Sequence, residues 1–307
     1  MDLMDYLLKR YAPVRVNLSD NTLSQMVNAV VQFNRMEGRE TTTFDLCSDS
    51  ISRHVKGLLR SGKSPATANV RRGYLRSLWA HAYRRGLNKH NPASEELPVK
   101  AAEPRRRPVA WSLDDVSRML QQARSTKVSV HHTFGPRHWE ALLLLLYYTG
   151  LRIGAALQLK RSDLKGHLLI VPAGIQKDRE EMHIRLPNEL VSRLIALPRP
   201  IGEIRFGRDI GERLIPWPWS LHHPQEKLTR HILKPAGLPI DRTMKFHALR
   251  KTTATMMFAK LGIIAAKDAL GHSSTKVTQR YIADPSTVDP SLAPAPAPMD
   301  VIPRLIG

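Results

Sequence analysis

Residues 138–154 read HWEALLLLLYYTGLRIG, and from Ala141 to Tyr148 every side chain is apolar or aromatic. The run is well short of the roughly 20 residues that cross a bilayer, so it predicts a buried helix from about His138 to Tyr148. Thr149-Gly150 ends that helix and delivers Arg152 just beyond a glycine turn. Downstream, Leu168–Val171 and Met182–Leu186 read as two strands joined by a polar turn. In the second, Met182, Ile184 and Leu186 alternate with His183 and Arg185, the period of a half-buried strand. Helical patterns then run through Tyr281. Upstream, Trp111-Ser112-Leu113-Asp114-Asp115 opens the region, with Ser112 as a helix cap. The fold class is mainly α with a small β-sheet.

The N-terminal third also reads as helical. Leu23, Met26, Val27, Val30, Val31 and Phe33 keep helical spacing behind a cap at Ser19 or Asp20. A second helix is expected from about Asp45 to Leu59, stopping at Ser61-Gly62. A third starts near Pro65, where Ser64 caps and proline suits the first turn. Its apolar face is Val70, Tyr74, Leu75, Leu78, Trp79 and Ala82, with the arginines largely elsewhere. Between Asp49 and Glu95 there is no acidic residue, yet ten Lys or Arg occur. A surface that merely stays in solution mixes both signs, so this region is read as a DNA-backbone face. Its candidate contacts are Lys63, Arg71, Arg72, Arg76, Arg84 and Arg85, continued by Arg105, Arg106 and Arg107. Those last three belong to the stretch Glu95–Pro108 (EELPVKAAEPRRRP), whose prolines discourage helix. The expected organisation is a helical DNA-binding domain at 1–100, a basic linker at 101–110, a second domain at 111–284 and a Pro/Ala-rich arm at 285–307. The apolar end of that arm, Val301–Ile306, is a candidate for docking on a neighbouring protomer.

Composition narrows the function classes. The chain has 307 residues with 47 Lys and Arg against 27 Asp and Glu, a formal charge of +20, and is 42% hydrophobic. Such a balance builds packed cores and points to a polyanion, most simply nucleic acid, although membrane surfaces also attract basic proteins. A single cysteine, Cys47, excludes an internal disulfide framework and a cysteine-based zinc cluster. Met1–Val16 lacks a signal-peptide core, so an intracellular, DNA-associated protein is expected, in cytoplasm or nucleoid if the source is prokaryotic.

Four pieces of the second domain carry chemistry together: Thr149-Gly150-Leu151-Arg152-Ile153-Gly154, Gln176-Lys177-Asp178-Arg179, His247-Ala248-Leu249-Arg250, and Leu270-Gly271-His272 with Tyr281 nine residues on. Singly, each has an ordinary structural explanation: a buried arginine, a solvated turn lysine, a surface pair on one helix face, a half-buried tyrosine. Their order and spacing resemble the tyrosine recombinase (phage integrase) family over most of residues 108–284. The resemblance implies an active site of Arg152, Lys177, His247, Arg250, His272 and Tyr281. It also implies an N-terminal helical core-binding domain plus an α+β tyrosine-recombinase catalytic domain, clamping a duplex from opposite sides. The partner would be double-stranded DNA, with a homo-oligomer on it, a tetramer in synapsis. Three departures stand out. Ala155 occupies a position that is often acidic, so Arg152 must be oriented by something else. Lys251 follows Arg250 where histidine is common, and Gly262–His272 is shorter than usual.

The residue types suit the reaction. A phenol with an ordinary pKa of about 10 needs a proton acceptor and a positive environment to attack phosphorus. Two guanidinium forks can clamp the charge gathering on the non-bridging oxygens, the histidines can donate hydrogen bonds or move protons, and Lys177 can protonate the departing 5′-oxygen. The product is a 3′-phosphotyrosyl link whose stored energy allows rejoining without ATP. No cofactor and no metal are expected. The motifs hold no carboxylate cluster for two divalent ions, and His131-His132 and His222-His223 lack a third ligand at suitable spacing. A site-specific DNA recombinase or integrase is the leading reading. Its rivals are a non-catalytic DNA-binding accessory protein on a recombinase scaffold and a type IB-like topoisomerase.

Overall fold

Caps and helical spacing set the first third of the chain. It forms α1 (Leu3–Tyr6), α2 (Asp20–Glu37), α3 (Ser48–Arg60) and α4 (Pro65–Arg84). The hydroxyls of Ser19 and Ser64 accept from the Thr22 and Thr67 amides, fixing the starts of α2 and α4. Helix α3 begins at Ser48 rather than Asp45. The Asp45 carboxylate is engaged in its own tight turn, accepting from the backbone and hydroxyl of Thr42 and pairing with Arg39. Leu3, Tyr6, Met26, Val30, Phe33, Ile51, Leu75, Leu78 and Trp79 form the core of this part.

The computed structural model describes residues 1–104, 107–127, 134–200, 202–221, 223–241 and 243–283. The chain divides into two units, Met1–Arg105 and Arg106–Gly307. Arg105, Arg106, His131, His132, His222 and the Pro/Ala-rich arm lie outside the described residues.

One expectation for the first unit needs correction. Arg71 does not lie on the solvent face of α4. It is 8% exposed and its guanidinium donates to the Gln25 carbonyl of α2, so packing and that acceptor hold it inside. The stretch read as a linker is fastened to the first unit at its start. Asn69 exchanges hydrogen bonds with both backbone groups of Ala101 and donates to Glu103, and Ala101 is buried against Val55, Leu58 and Ala68.

In the second unit, Ser112 and Asp115 form the capping box of α5 (Leu113–Ser125). Helix α6 (Pro136–Thr149) is buried from His138 to its end. Its one carboxylate, Glu140, accepts from Arg124 at 2.6 Å and Arg193 at 2.9 Å. After α7 (Ile153–Ala156), strands β1 (Leu164–Lys165), β2 (Leu168–Val171) and β3 (Met182–Arg185) form an antiparallel sheet in the order β1-β2-β3, with Leu169 opposite Ile184. Leu169, Val171, Met182 and Ile184 turn into the core. Then come α8 (Asn188–Ile195), a small hairpin of β4 (Ile204–Arg205) and β5 (Arg208–Asp209), α9 (Pro224–Leu228), α10 (Phe246–Leu270) and α11 (Thr275–Thr278).

Helix α10 is central to this unit and is pinned by threonines. Thr252 accepts from the Trp111 amide, and Thr253 donates to the Tyr147 carbonyl of α6 at 2.7 Å. The helix kinks at Gly262, with φ 83° and ψ 179°. Two helical stretches meet at Gly262, so the altered helix connection expected ahead of His272 is a break at this one residue. No helix among the described residues is long and apolar enough to cross a membrane.

Candidate active site

The site is built on two glycine turns. Gly150 ends α6 at φ 60°, a conformation that favours glycine, and an added Cβ would also press on Leu270. Its carbonyl accepts from the Arg250 guanidinium, which rises from the first turns of α10. Gly271 ends α10 at φ 63°, where an added Cβ would meet the Met182 sulfur, and places His272 immediately after it. Arg250 is 2% exposed and also donates to the Leu270 carbonyl and to His272 Nε2, each at 2.9 Å. Burial lowers its pKa and Arg152 adds to the effect, but a guanidinium stays protonated throughout the range in which proteins fold.

Tyr281 follows α11. Its amide donates to the Thr278 carbonyl at 2.8 Å, and the Ala283 amide donates to Thr255 of α10 at 2.9 Å. The Tyr281 ring lies 4.7 Å from that of His272 and 5.1 Å from that of His247, centroid to centroid. The Arg250 guanidinium carbon is 5.3 Å from the same ring. A phenol, two imidazoles and a buried guanidinium therefore meet within one chain.

Both histidines are held neutral. His272 is pushed down to about 4 by burial, then by Arg250 and Arg152, with Asp178 opposing. His247 is also lowered to about 4, by desolvation and then by Lys251, Arg250 and Arg152. Its side chain keeps an exposed edge, so solvent tempers the desolvation and the three cations are the more durable cause. Neutral imidazoles are able to accept a proton.

Arg152 approaches from the start of α7. Its guanidinium donates to the Asp178 carboxylate at 2.9 Å. Asp178 sits on the connection between β2 and β3, directly after Lys177, so the carboxylate missing at Ala155 is supplied from the hairpin. Lys177 itself is exposed on that connection. The structure thus gathers Arg152, His247, Arg250, His272 and Tyr281, and leaves Lys177 at the edge. Lys251 is half-buried and lowered by desolvation.

Sequence reasoning missed two participants. Asp178 lies within the hairpin motif beside Lys177, and the absent acid at 155 is the sequence signal that points to it. Thr278, fully buried, lies 3.1 Å from His272 Nδ1, and nothing in a lone sequence distinguishes it from any helical threonine. Among the described residues no three His, Cys, Asp or Glu side chains are grouped to hold a metal ion. Of the DNA-face candidates, Lys63, Arg84, Arg85 and Arg107 are exposed and Arg72 and Arg76 are half-buried. Arg72 donates to the Pro98 carbonyl.

No protein-family model matches the chain. Tyrosine recombinase XerC of Rhodospirillum centenum is 33% identical over 228 residues, covering 72% of this chain and 62% of that protein. The chain spans 62%, 55% and 60% of the lengths of the first three curated relatives it matches, all XerC or XerD tyrosine recombinases. The Tn1549 transposon integrase in complex with transposon right end DNA superimposes with a TM-score of 0.71 at 18% identity, covering 92% of this chain and 95% of that one. A lambda integrase tetramer bound to a Holliday junction gives 0.64 at 20% identity, covering 92% and 76%. At these identities the structural likeness speaks for the fold, while the curated relatives speak for descent. The chain belongs to the tyrosine recombinase family.

Proposed function

We propose that the protein is a site-specific DNA recombinase or integrase that cleaves and rejoins strands through a 3′-phosphotyrosyl intermediate, with neither metal nor ATP. The observation that carries this reading is the packing of the Tyr281 ring against His272, His247 and the Arg250 guanidinium. Tyr281 Oη attacks the scissile phosphorus as its proton passes to a neutral histidine. Arg250 and Arg152 stabilise the charge on the non-bridging oxygens. The P–O5′ bond breaks, and Lys177, on its exposed turn, protonates the leaving 5′-oxygen. A 5′-hydroxyl from a partner strand then reverses the step and releases the tyrosine.

Double-stranded DNA is the substrate in this reading, and the protein works on it as a homo-oligomer, supported by the lambda integrase tetramer on a Holliday junction. The exposed cations of the first unit hold the backbone. The test is a duplex bearing the chain's own site, found by footprinting or selection from a random pool, nicked so that the cleaved fragment diffuses away. A covalent protein–DNA adduct is expected with the wild-type chain and not with Tyr281→Phe. A wild-type chain that binds its site and forms no adduct overturns the reading. Exchange between two sites, rather than relaxation of one, marks a recombinase.

A further inference from the structure

Arg152 and Lys177 are linked through Asp178. The Arg152 backbone is fixed at the start of α7, its carbonyl accepting from the Ala155 and Ala156 amides at 2.9 and 3.0 Å. Its side chain gives NH1 to the Asp178 carboxylate at 2.9 Å and makes no other hydrogen bond or ion pair among the described residues. A guanidinium carries five N–H donors, so Nε and NH2 stay available to a phosphate while NH1 keeps Asp178. Lys177 and Asp178 are the two central residues of a turn closed by the Arg179 amide, which donates to the Gln176 carbonyl at 3.3 Å. Two further features brace that turn. The Gln176 side chain donates to the Glu180 carbonyl at 3.3 Å, and Arg179 holds φ 54°, in the left-handed region that a non-glycine residue seldom adopts. The charge of Asp178 is felt at Arg250 and at His272, where it opposes the lowering by burial, so the turn stands against the site.

We infer that Asp178 is a positioning residue for Lys177: by holding Arg152 it moors the turn, so that the lysine stays within reach of the oxygen that leaves the phosphorus. The inference rests on the proposed function, which makes Lys177 the donor of that proton. An acid at 155 would lie one turn from Arg152 on the same short helix and support the guanidinium without touching the connection. With alanine there, the supporting carboxylate comes from the residue next to the lysine. One contact then steadies the phosphate clamp and sets the proton donor. Consecutive Cα atoms are about 3.8 Å apart, and the closed turn gives Lys177 little room to swing away from an anchored Asp178. In the step itself the deprotonated Tyr281 oxygen bonds to phosphorus and the P–O5′ bond breaks. The departing electron pair takes a proton from Lys177 Nζ, which leaves a neutral amine and a 5′-hydroxyl. Without Asp178 the turn is unmoored, and Lys177 meets the leaving oxygen in fewer of its positions.

The test compares two nicked duplexes of one site, one with the ordinary 5′-oxygen at the scissile position and one with sulfur in its place. A thiolate leaves without a proton, since a thiol titrates at about 8.5 against about 15.7 for water. Single-turnover adduct formation is followed for the full wild-type chain, Lys177→Met, Asp178→Ala and the double variant, each relative to wild type on the same substrate. The Arg152–Asp178 pair is partly exposed and adds little to stability, so Asp178→Ala keeps its fold. Lys177→Met should be slowed about hundredfold or more on oxygen and cleave the sulfur substrate at close to the wild-type rate. Asp178→Ala should be slowed on both, because Arg152 loses its support, but about tenfold more on oxygen than on sulfur. That excess should vanish when Lys177→Met is already present, and a merely structural role would not follow the leaving atom. Equal slowing of Asp178→Ala on the two substrates, with Lys177→Met rescued by sulfur, overturns the inference and leaves the proposed function standing. Lys177→Met slowed alike on both removes the lysine as proton donor, and the inference falls with it. A wild-type chain that binds its site and forms an adduct on neither substrate defeats the proposed function itself, and the inference with it.

Discussion

Arg152 shows how a single substitution relocates a supporting contact. With alanine at 155, its guanidinium finds a carboxylate on the β2–β3 connection, at Asp178. The two side chains are 25% and 34% exposed, so the pair adds little to stability, and its effect lies in aiming the guanidinium. On the proposed function, the same carboxylate adds negative charge beside the site where the phosphate binds. Asp178→Asn should therefore slow adduct formation about tenfold, through a less well-aimed Arg152, while DNA affinity holds or rises. Measuring binding and single-turnover cleavage separately on one duplex checks this, and a parallel loss of both would place Asp178 in DNA binding. The reactive groups were legible in the sequence because they are rare chemistry at a distinctive spacing. Their supports were not. Whether a threonine faces a histidine, or an arginine such as Arg71 turns inward, depends on packing that periodicity reports only as a face.

At the scale of elements, α10 carries the site at both ends. His247 and Arg250 lie on its first turns, while His272 and Tyr281 follow its last, and the bend at Gly262 sets the angle between them. The φ 83°, ψ 179° conformation belongs almost solely to glycine, yet an added Cβ would meet nothing within 4 Å. The cost of Gly262→Ala is thus backbone strain without a clash. The variant should lose about 1–3 kcal/mol of stability, read by urea unfolding, and cleave more slowly as the two halves of the site shift. Unchanged stability and rate would mean that the bend is not set by this residue. Helices were the legible elements, since Ser19, Ser64 and Ser112 announce their starts and apolar spacing their faces. Asp45 misplaced one start because its carboxylate serves a turn ahead of the helix. The two-residue strands β4 and β5 are too short to show a period.

Across the whole molecule a formal charge of +20 makes the proposed DNA binding salt-sensitive, but the total does not say which cations carry it. Arg71 sits inside the first unit, donating to Gln25, and Arg72 donates to Pro98. Both are therefore engaged by backbone carbonyls. Arg84 and Arg85 are exposed at the end of α4, where a duplex could reach them. Each phosphate contact contributes about −0.9 to the slope of log affinity against log salt. Arg84→Ala with Arg85→Ala should flatten the slope by up to about 1.8 and weaken binding to all sequences alike. Arg71→Met should leave the slope unchanged and instead destabilise the first unit by about 1–2 kcal/mol, the cost of a lost buried hydrogen bond. Titrating both variants over a range of salt, beside their thermal unfolding, separates the two kinds of arginine. An Arg71→Met slope as flat as the double variant's would return Arg71 to the DNA face and mean that its inward hydrogen bond gives way when DNA binds.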